Sequence, residues 1–165
     1  MKKTIIPVIS ALILVFAIGS CKPEQKTLGP APSQTEGLTK STWVLYRVDQ
    51  IDVNQMLAFV ESDTLLDVSD VYIDGTPVEA TFTEAGDYSL TAGAGANLFP
   101  KTSGKWGFDN PTYPSKIVFE AGTAEEATVS LLKPVRPQDA NLVLKFNKIC
   151  GGKRTVSYHL WFTRK

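Results

Sequence analysis

An alternation of apolar and polar side chains with a period of two residues runs through most of 41–165. It restricts the possible folds more than any other feature of the sequence. In the last such run, large apolar residues stand at every second position from Val156 to Phe162. Successive side chains of a β-strand point to opposite faces, so this spacing is typical of a half-buried antiparallel strand. Nine segments fit the pattern: 41–49, 65–73, 78–83, 88–92, 104–109, 115–120, 127–132, 140–149 and 155–164.

Turn-forming residues separate these segments. Asp74-Gly75 and Gly151-Gly152 are dipeptides that favour the positive φ angles of tight hairpins. Short strands at regular spacing, joined by such turns, predict an all-β fold. We expect an antiparallel up-and-down barrel of about eight to nine strands in residues 41–165. A two-sheet β-sandwich is the alternative.

One segment departs from the strand pattern. Its apolar residues follow the spacing of one helix face, at Val53, Met56, Leu57 and Val60. This spacing predicts one short helix near 53–60. An irregular loop with apolar contacts is the alternative.

The N-terminus has the composition of a secretory signal. Lys2 and Lys3 precede a 14-residue apolar run over 5–18, and Gly19-Ser20 follow it. A spanning helix needs roughly 20 residues, so the run is too short to remain as a transmembrane anchor. Residues 18–21, Ile-Gly-Ser-Cys, resemble a bacterial lipobox. This resemblance implies removal of residues 1–20 and attachment of acyl chains, palmitate among them, to Cys21.

The segment that follows Cys21 predicts a flexible tether. Residues 22–40 contain three prolines and two glycines and have little apolar mass. Such a segment buries too little surface to offset its ordering entropy. The expected organisation is therefore a signal peptide (1–20), a lipidated N-terminus with its tether (21–40) and one β domain (41–165).

The charged and metal-binding residue types exclude several functions. Without Lys2 and Lys3 the chain has 17 − 2 = 15 basic residues and 17 acidic residues, so nothing points to nucleic acid. His159 is the only histidine, and acylated Cys21 leaves Cys150 without a disulfide partner. We therefore predict no metal site, no cofactor and no catalytic residue. His159, with Ser157 two residues away on the same face, keeps open a minor hydrolase alternative.

The aromatic residues are the more informative candidates for binding. Alternation places Trp106 and Phe108 in the core, and the bulk of such residues favours a filled barrel interior over an empty one. Trp161 lies on the polar side of the last strand, and Tyr113 lies in a proline-flanked loop. Exposed aromatics stack on sugars or anchor partners, so these two are the candidate ligand-binding residues. The alternative is that both faces of the sheet are covered.

The order of short motifs along the domain resembles one family. Trp43-Val44-Leu45 opens the domain and Tyr158-His159-Leu160-Trp161-Phe162 closes it, with a Phe82–Tyr88 hairpin and Gly104–Asp109 and Ser115–Phe119 between them. This succession resembles the lipocalin-like lipoprotein family of unknown function from Bacteroides-type bacteria. The resemblance implies a lipocalin-like β-barrel on an outer-membrane lipoprotein, and it supplies no catalytic residues to transfer.

These observations favour a lipid-anchored, non-catalytic binding module of the cell envelope. Lys22 stands where an aspartate favours inner-membrane retention, which favours the outer membrane. Glu24 alone fits an acidic surface-export signal, so the periplasmic and cell-surface sides both stay open. The ligand is a small apolar molecule, a glycan or an envelope protein. A structural accessory subunit of an outer-membrane or glycan-uptake complex is the second hypothesis.

Overall fold

The computed structural model describes residues 33–52, 65–150 and 152–165. The signal segment, Cys21 and the helix predicted near 53–60 lie outside these residues. The described elements are α1 (Gln34–Thr39), β1 (Trp43–Asp52), β2 (Leu65–Asp67), α2 (Ser69–Tyr72), β3 (Glu79–Phe82), β4 (Asp87–Leu90), a 3-10 helix (Ala94–Leu98), β5 (Ser103–Phe108), β6 (Lys116–Phe119), β7 (Ala127–Leu131), β8 (Asn141–Cys150) and β9 (Lys153–Arg164).

Eight strands form a closed antiparallel barrel. From β3 to β9, each strand pairs with the next one in sequence, and β1 pairs with both β3 and β9. The pairing of β1 with β9 leaves no open edge between the first and last strands of the barrel. The predicted all-β barrel is confirmed, and the two-sheet sandwich alternative is wrong. The ninth strand, β2, pairs with residues 49–51 of β1.

The antiparallel order gives the barrel two distinct ends. We call the first the entry end, because α1 leads into β1 there. It also holds the β3–β4, β5–β6 and β7–β8 connections, at 83–86, 109–115 and 132–140. We call the other the cavity end, which holds the β4–β5 and β6–β7 connections, at 91–102 and 120–126, and the β8–β9 hairpin.

Inward-facing side chains fill the barrel, as their number and bulk predict. Ring contacts join Phe82, Trp106, Tyr88 and Phe119, with the Tyr88 and Phe119 centroids 4.8 Å apart. Packed aromatic and aliphatic side chains of this kind supply most of the stabilisation of a core. The largest fully buried side chains are Trp43, Phe82, Phe119, Phe162, Leu38, Leu45, Ile117, Leu142, Leu144, Leu160, Val48 and Val78.

The entry end is closed by α1 and the β7–β8 connection. Trp43 Nε1 donates to the Leu38 carbonyl at 2.8 Å, and the Arg164 guanidinium lies 5.0 Å above the Trp43 ring. Arg164 Nη1 also donates to the Pro137 carbonyl at 2.6 Å. One cation therefore satisfies a loop carbonyl and covers the indole that seals the barrel.

Two sequence predictions need correction. Residues 34–39, assigned to the flexible tether, form α1, and Leu38 is fully buried in the barrel core. Burial of that leucine supplies the apolar contact that the segment as a whole lacks. The strand predicted over 65–73 ends at Asp67, because Asp67 Oδ1 accepts hydrogen bonds from the backbone N–H and hydroxyl of Ser69, which starts α2.

Candidate functional site

A half-enclosed cavity of about 310 Å³ lies at the cavity end of the barrel. Its walls come from four places in the sequence: α2, the 3-10 helix, the last part of β8 and the first part of β9. The volume falls at the lower end of the range of small-molecule sites, roughly 300–1,000 Å³. The lining residues are Tyr72, Asn97, Leu98, Phe146, Asn147, Lys148 and Tyr158.

The apolar part of the cavity rests directly on the barrel core. Phe146 meets the buried Phe99 edge to face, with ring centroids 5.0 Å apart. Phe99 in turn contacts Phe119 and Phe162, so it plugs the barrel beneath the cavity. Leu98 packs against the same cluster. The cavity therefore lies above a filled interior, and its apolar floor is formed by Leu98 and Phe146, which packs on Phe99.

Two tyrosines form one wall. The rings of Tyr72 and Tyr158 lie 5.8 Å apart at 75°. Burial, followed by hydrogen bonding with the Tyr158 side chain, raises the pKa of Tyr72 to about 12. Both rings are half-buried. The wall is thus neutral at physiological pH and offers phenol hydroxyls beside apolar ring edges.

The rim of the cavity is polar. Asn97 and Asn147 are exposed, and Asn147 Oδ1 accepts a hydrogen bond from the Ser157 hydroxyl at 2.8 Å. That bond turns the amide nitrogen of Asn147, a donor, away from Ser157. Among the described residues that line the cavity, none is acidic and Lys148 is basic. The arrangement combines an apolar floor with hydrogen-bonding groups at the mouth, which is the usual composition of a small-molecule site.

The structure places the candidate Trp161 away from this cavity. Trp161 Nε1 donates to Asp49 Oδ2 at 2.7 Å on the outer face of the barrel, and Arg47 Nε donates to Asp49 Oδ1 at 2.8 Å. Asp49 is 1% exposed. A carboxylate so deeply buried needs both donors to offset its desolvation. Trp161 therefore belongs to a polar network that joins β1 and β9.

The candidate Tyr113 lies at the opposite end from the cavity. Its side chain is 81% exposed in the β5–β6 connection at the entry end. Ser157 is 1% exposed, and its hydroxyl is bonded to Asn147. His159 pairs across the strands with Asp49 and Lys145 on the outer face. The sequence candidates are therefore dispersed, and none of them lines the cavity.

The described part of the chain contains no group of three or more histidine, cysteine or acidic residues placed to hold a metal ion. In the same residues, no helix has the length and apolar character needed to cross a membrane.

Sequence reasoning missed the cavity residues because they lie far apart in the chain. Asn97 and Leu98 lie between two predicted strands, 88–92 and 104–109, and Tyr72 lies in the segment 65–73 that was predicted to be a strand. Only Phe146 and Tyr158 carried a usable signal, since alternation places both on the inner face. Their positions near the β8–β9 turn mark the point where the inner face reaches the barrel end.

Comparison with known proteins adds no assignment: no family model matches the chain, and no curated protein matches it.

Proposed function

We propose that this chain is a lipid-anchored, non-catalytic binding protein of the bacterial outer membrane that holds a small ligand in the cavity at the barrel end. The observation that carries the proposal is the cavity of about 310 Å³ with an apolar floor and a polar rim. The signal segment and the lipobox-like residues ending at Cys21 support the anchor. The lipocalin-like character suggested by the sequence motifs agrees with a barrel that binds at its mouth.

A ligand of matching chemistry has a small planar or aliphatic part that contacts Leu98 and Phe146. Its polar groups meet the exposed amide of Asn97. The filled interior beneath Phe99 limits how deep the ligand penetrates, so long acyl chains fit poorly. Half-buried aromatic walls and a few placed hydrogen-bonding groups favour recognition of one compact molecule.

The binding proposal is tested with 1-anilinonaphthalene-8-sulfonate, a fluorescent aromatic anion, and the mature full-length protein. We expect saturable binding to the wild type and at least tenfold weaker binding to Leu98→Trp, a loss of about 1.4 kcal/mol. Leu132→Trp is the matched control, because Leu132 is exposed at the entry end. Equal affinity of all three proteins would place the probe elsewhere and contradict the proposal.

The anchor is tested separately by metabolic labelling with palmitate in a bacterial host. The wild type should take up label and fractionate with the outer membrane. Cys21→Ala should do neither. Label in both forms, or in neither, contradicts lipidation at this residue.

A further inference from the structure

We propose that the entry end of the barrel, with Tyr113 at its tip, docks on the lipid headgroup surface of the membrane that carries the anchor. The cavity then opens away from that membrane. This inference rests on the proposed acylation of Cys21 and concerns a different surface from the ligand site.

The first argument is the short covalent path from the anchor to the barrel. Helix α1 begins at Gln34, only 34 − 21 = 13 residues after Cys21. A chain of that length spans ~47 Å at full extension and ~20 Å as a random coil. It joins the barrel at the entry end, where Leu38 is fully buried. The acylated Cys21 is therefore connected to the barrel through its entry end.

The second argument is the height of the barrel. Strand β9 has 12 residues, from Lys153 at the cavity end to Arg164 at the entry end. At ~3.3 Å per residue and a tilt of ~40°, it spans ~30 Å along the barrel axis. The cavity end thus lies farther from the point of attachment than the average reach of the tether. With the entry end towards the membrane the tether needs no extension, whereas with the cavity end towards it the tether must stretch to about two thirds of its full length.

The third argument is the preformed loop that carries Tyr113. Asp109 accepts hydrogen bonds from the backbone N–H groups of Ser115 and Lys116, both at 2.9 Å, and from the Ser115 hydroxyl at 2.7 Å. Asn110 Oδ1 accepts from the Tyr113 backbone N–H at 3.0 Å. Because the loop is already held in place, docking its exposed tyrosine costs little conformational entropy.

The chemistry around Tyr113 fits a headgroup surface. Tyrosine is favoured at membrane interfaces, since its ring is apolar and its hydroxyl is polar. The Leu131 N–H donates to the Ser115 carbonyl at 2.8 Å, which brings Leu132 and Lys133 beside the loop. Leu132 is 45% exposed, and Lys133 is exposed.

Lys116 follows the loop of Tyr113 and Lys133 follows Leu132, and basic residues suit anionic headgroups. Glu84 lies in the β3–β4 connection, whereas Asp109 and Asp139 lie in the β5–β6 and β7–β8 connections themselves. The charge around Tyr113 is therefore mixed, and the exposed Tyr113 and Leu132 carry the proposal.

The orientation is tested with the lipidated full-length protein in vesicles that contain a lipid nitroxide-labelled at its headgroup. Tyr113→Cys and Asn97→Cys, each combined with Cys150→Ser, carry the same fluorescent label at the two ends. We expect severalfold stronger quenching of the label at 113 than of the label at 97. Equal quenching, or stronger quenching at 97, overturns the inference.

Flotation of the same samples separates this proposal from the anchor. If the protein floats with the vesicles but the two labels are quenched equally, the anchor proposal stands and the orientation proposal is overturned. Protein that fails to float overturns both.

A further variant carries the label at Lys133→Cys with Tyr113 intact or replaced by serine. Weaker quenching after Tyr113→Ser supports docking through the tyrosine, whereas unchanged quenching overturns its role. Quenching at 113 that requires an added envelope extract indicates a protein partner and also overturns the proposal.

Discussion

The two ends of the barrel are built from different interactions. At the entry end, Trp43, Leu38 and Arg164 form a tight seal in which the indole donates to a carbonyl of α1 and the guanidinium donates to a carbonyl of the β7–β8 connection. At the cavity end, Phe99 plugs the core, and the groups above it, Tyr72, Asn97 and their neighbours, remain half-buried or exposed. The difference indicates that one end contributes mainly to stability, while the other is less tightly packed and leaves open the cavity in which we propose that a ligand binds.

The largest expected difference between the ends follows truncation of the sealing indole. Trp43→Ala removes a fully buried side chain and its hydrogen bond to Leu38, so we expect a loss of about 3–5 kcal/mol in the free energy of unfolding. Urea unfolding measures it. Phe146→Ala, at the half-buried floor of the cavity, should cost clearly less. Similar losses for the two variants would remove the distinction between the ends.

A smaller effect tests how closely α1 packs on the β7–β8 connection. A Cβ added to Gly37 would lie 2.6 Å from the Val135 carbonyl oxygen, whereas one added to Gly107 meets nothing within 4 Å. The backbone must shift in Gly37→Ala, so we expect a loss of about 1–3 kcal/mol. Gly107→Ala is the matched control and should change little. Thermal unfolding of both proteins decides the comparison, and a neutral Gly37→Ala speaks against a tight seal.

At the cavity end, the hydrogen bond between the tyrosines should be visible in a pH titration. Tyr158→Phe removes that bond but keeps the burial, so the pKa of Tyr72 should fall from about 12 towards its ordinary 10.0. Because the folded pKa is the higher one, wild-type stability declines as the pH rises from about 10 to about 12. The Tyr158→Phe variant should lose less stability over the same pH range.

The ultraviolet absorbance of tyrosinate measures the ionisation of Tyr72. The Tyr72→Phe variant lacks this contribution and so identifies which part of the signal comes from Tyr72. Tyr113→Phe, at the other end of the barrel, should leave the pKa of Tyr72 unchanged. A Tyr72 pKa that is the same in wild type and Tyr158→Phe argues against the tyrosine wall.

The smallest effect concerns the loop at the tip of the entry end. Hydrogen bonds from Ser115 and Lys116 lower the pKa of Asp109 to about 2. Its stabilising contribution is present above the ordinary value of 3.8 and is lost as the pH falls through about 2. Asp109→Asn should speed amide hydrogen exchange within 110–116. Asp139→Asn, in the neighbouring connection, should leave exchange in this loop as in wild type. Exchange in 110–116 that Asp109→Asn does not alter would mean that other contacts hold the loop.

Periodicity was enough to predict the barrel, but it was not enough to predict its ends. Alternation located most strands to within a few residues, because large apolar residues occupy every second position over 142–146 in β8 and 156–162 in β9. Helix α1 was missed although Ser33 and Glu36 have the spacing of a capping box, and the Ser33 hydroxyl does accept the Glu36 N–H at 3.2 Å. The proline and glycine content of residues 22–40 predicted a flexible tether instead of this helix.

The cavity could not be predicted, because its walls meet only after the barrel closes. No local pattern marks Tyr72, Asn97 and Asn147 as neighbours. The burial of Asp49 and Ser157 on the outer face was equally hidden, since polar residues at alternate positions indicate exposure. In each case long-range contacts decided the environment of the residue.

The most direct test of the division between the two ends is amide chemical-shift mapping by NMR. The mature protein is titrated with 1-anilinonaphthalene-8-sulfonate. We predict saturable shifts at Asn97, Leu98 and Asn147, with no shifts at Tyr113 or Leu132. Shifts centred on the entry end, or scattered over the outer face, would contradict the assignment of binding to the cavity end.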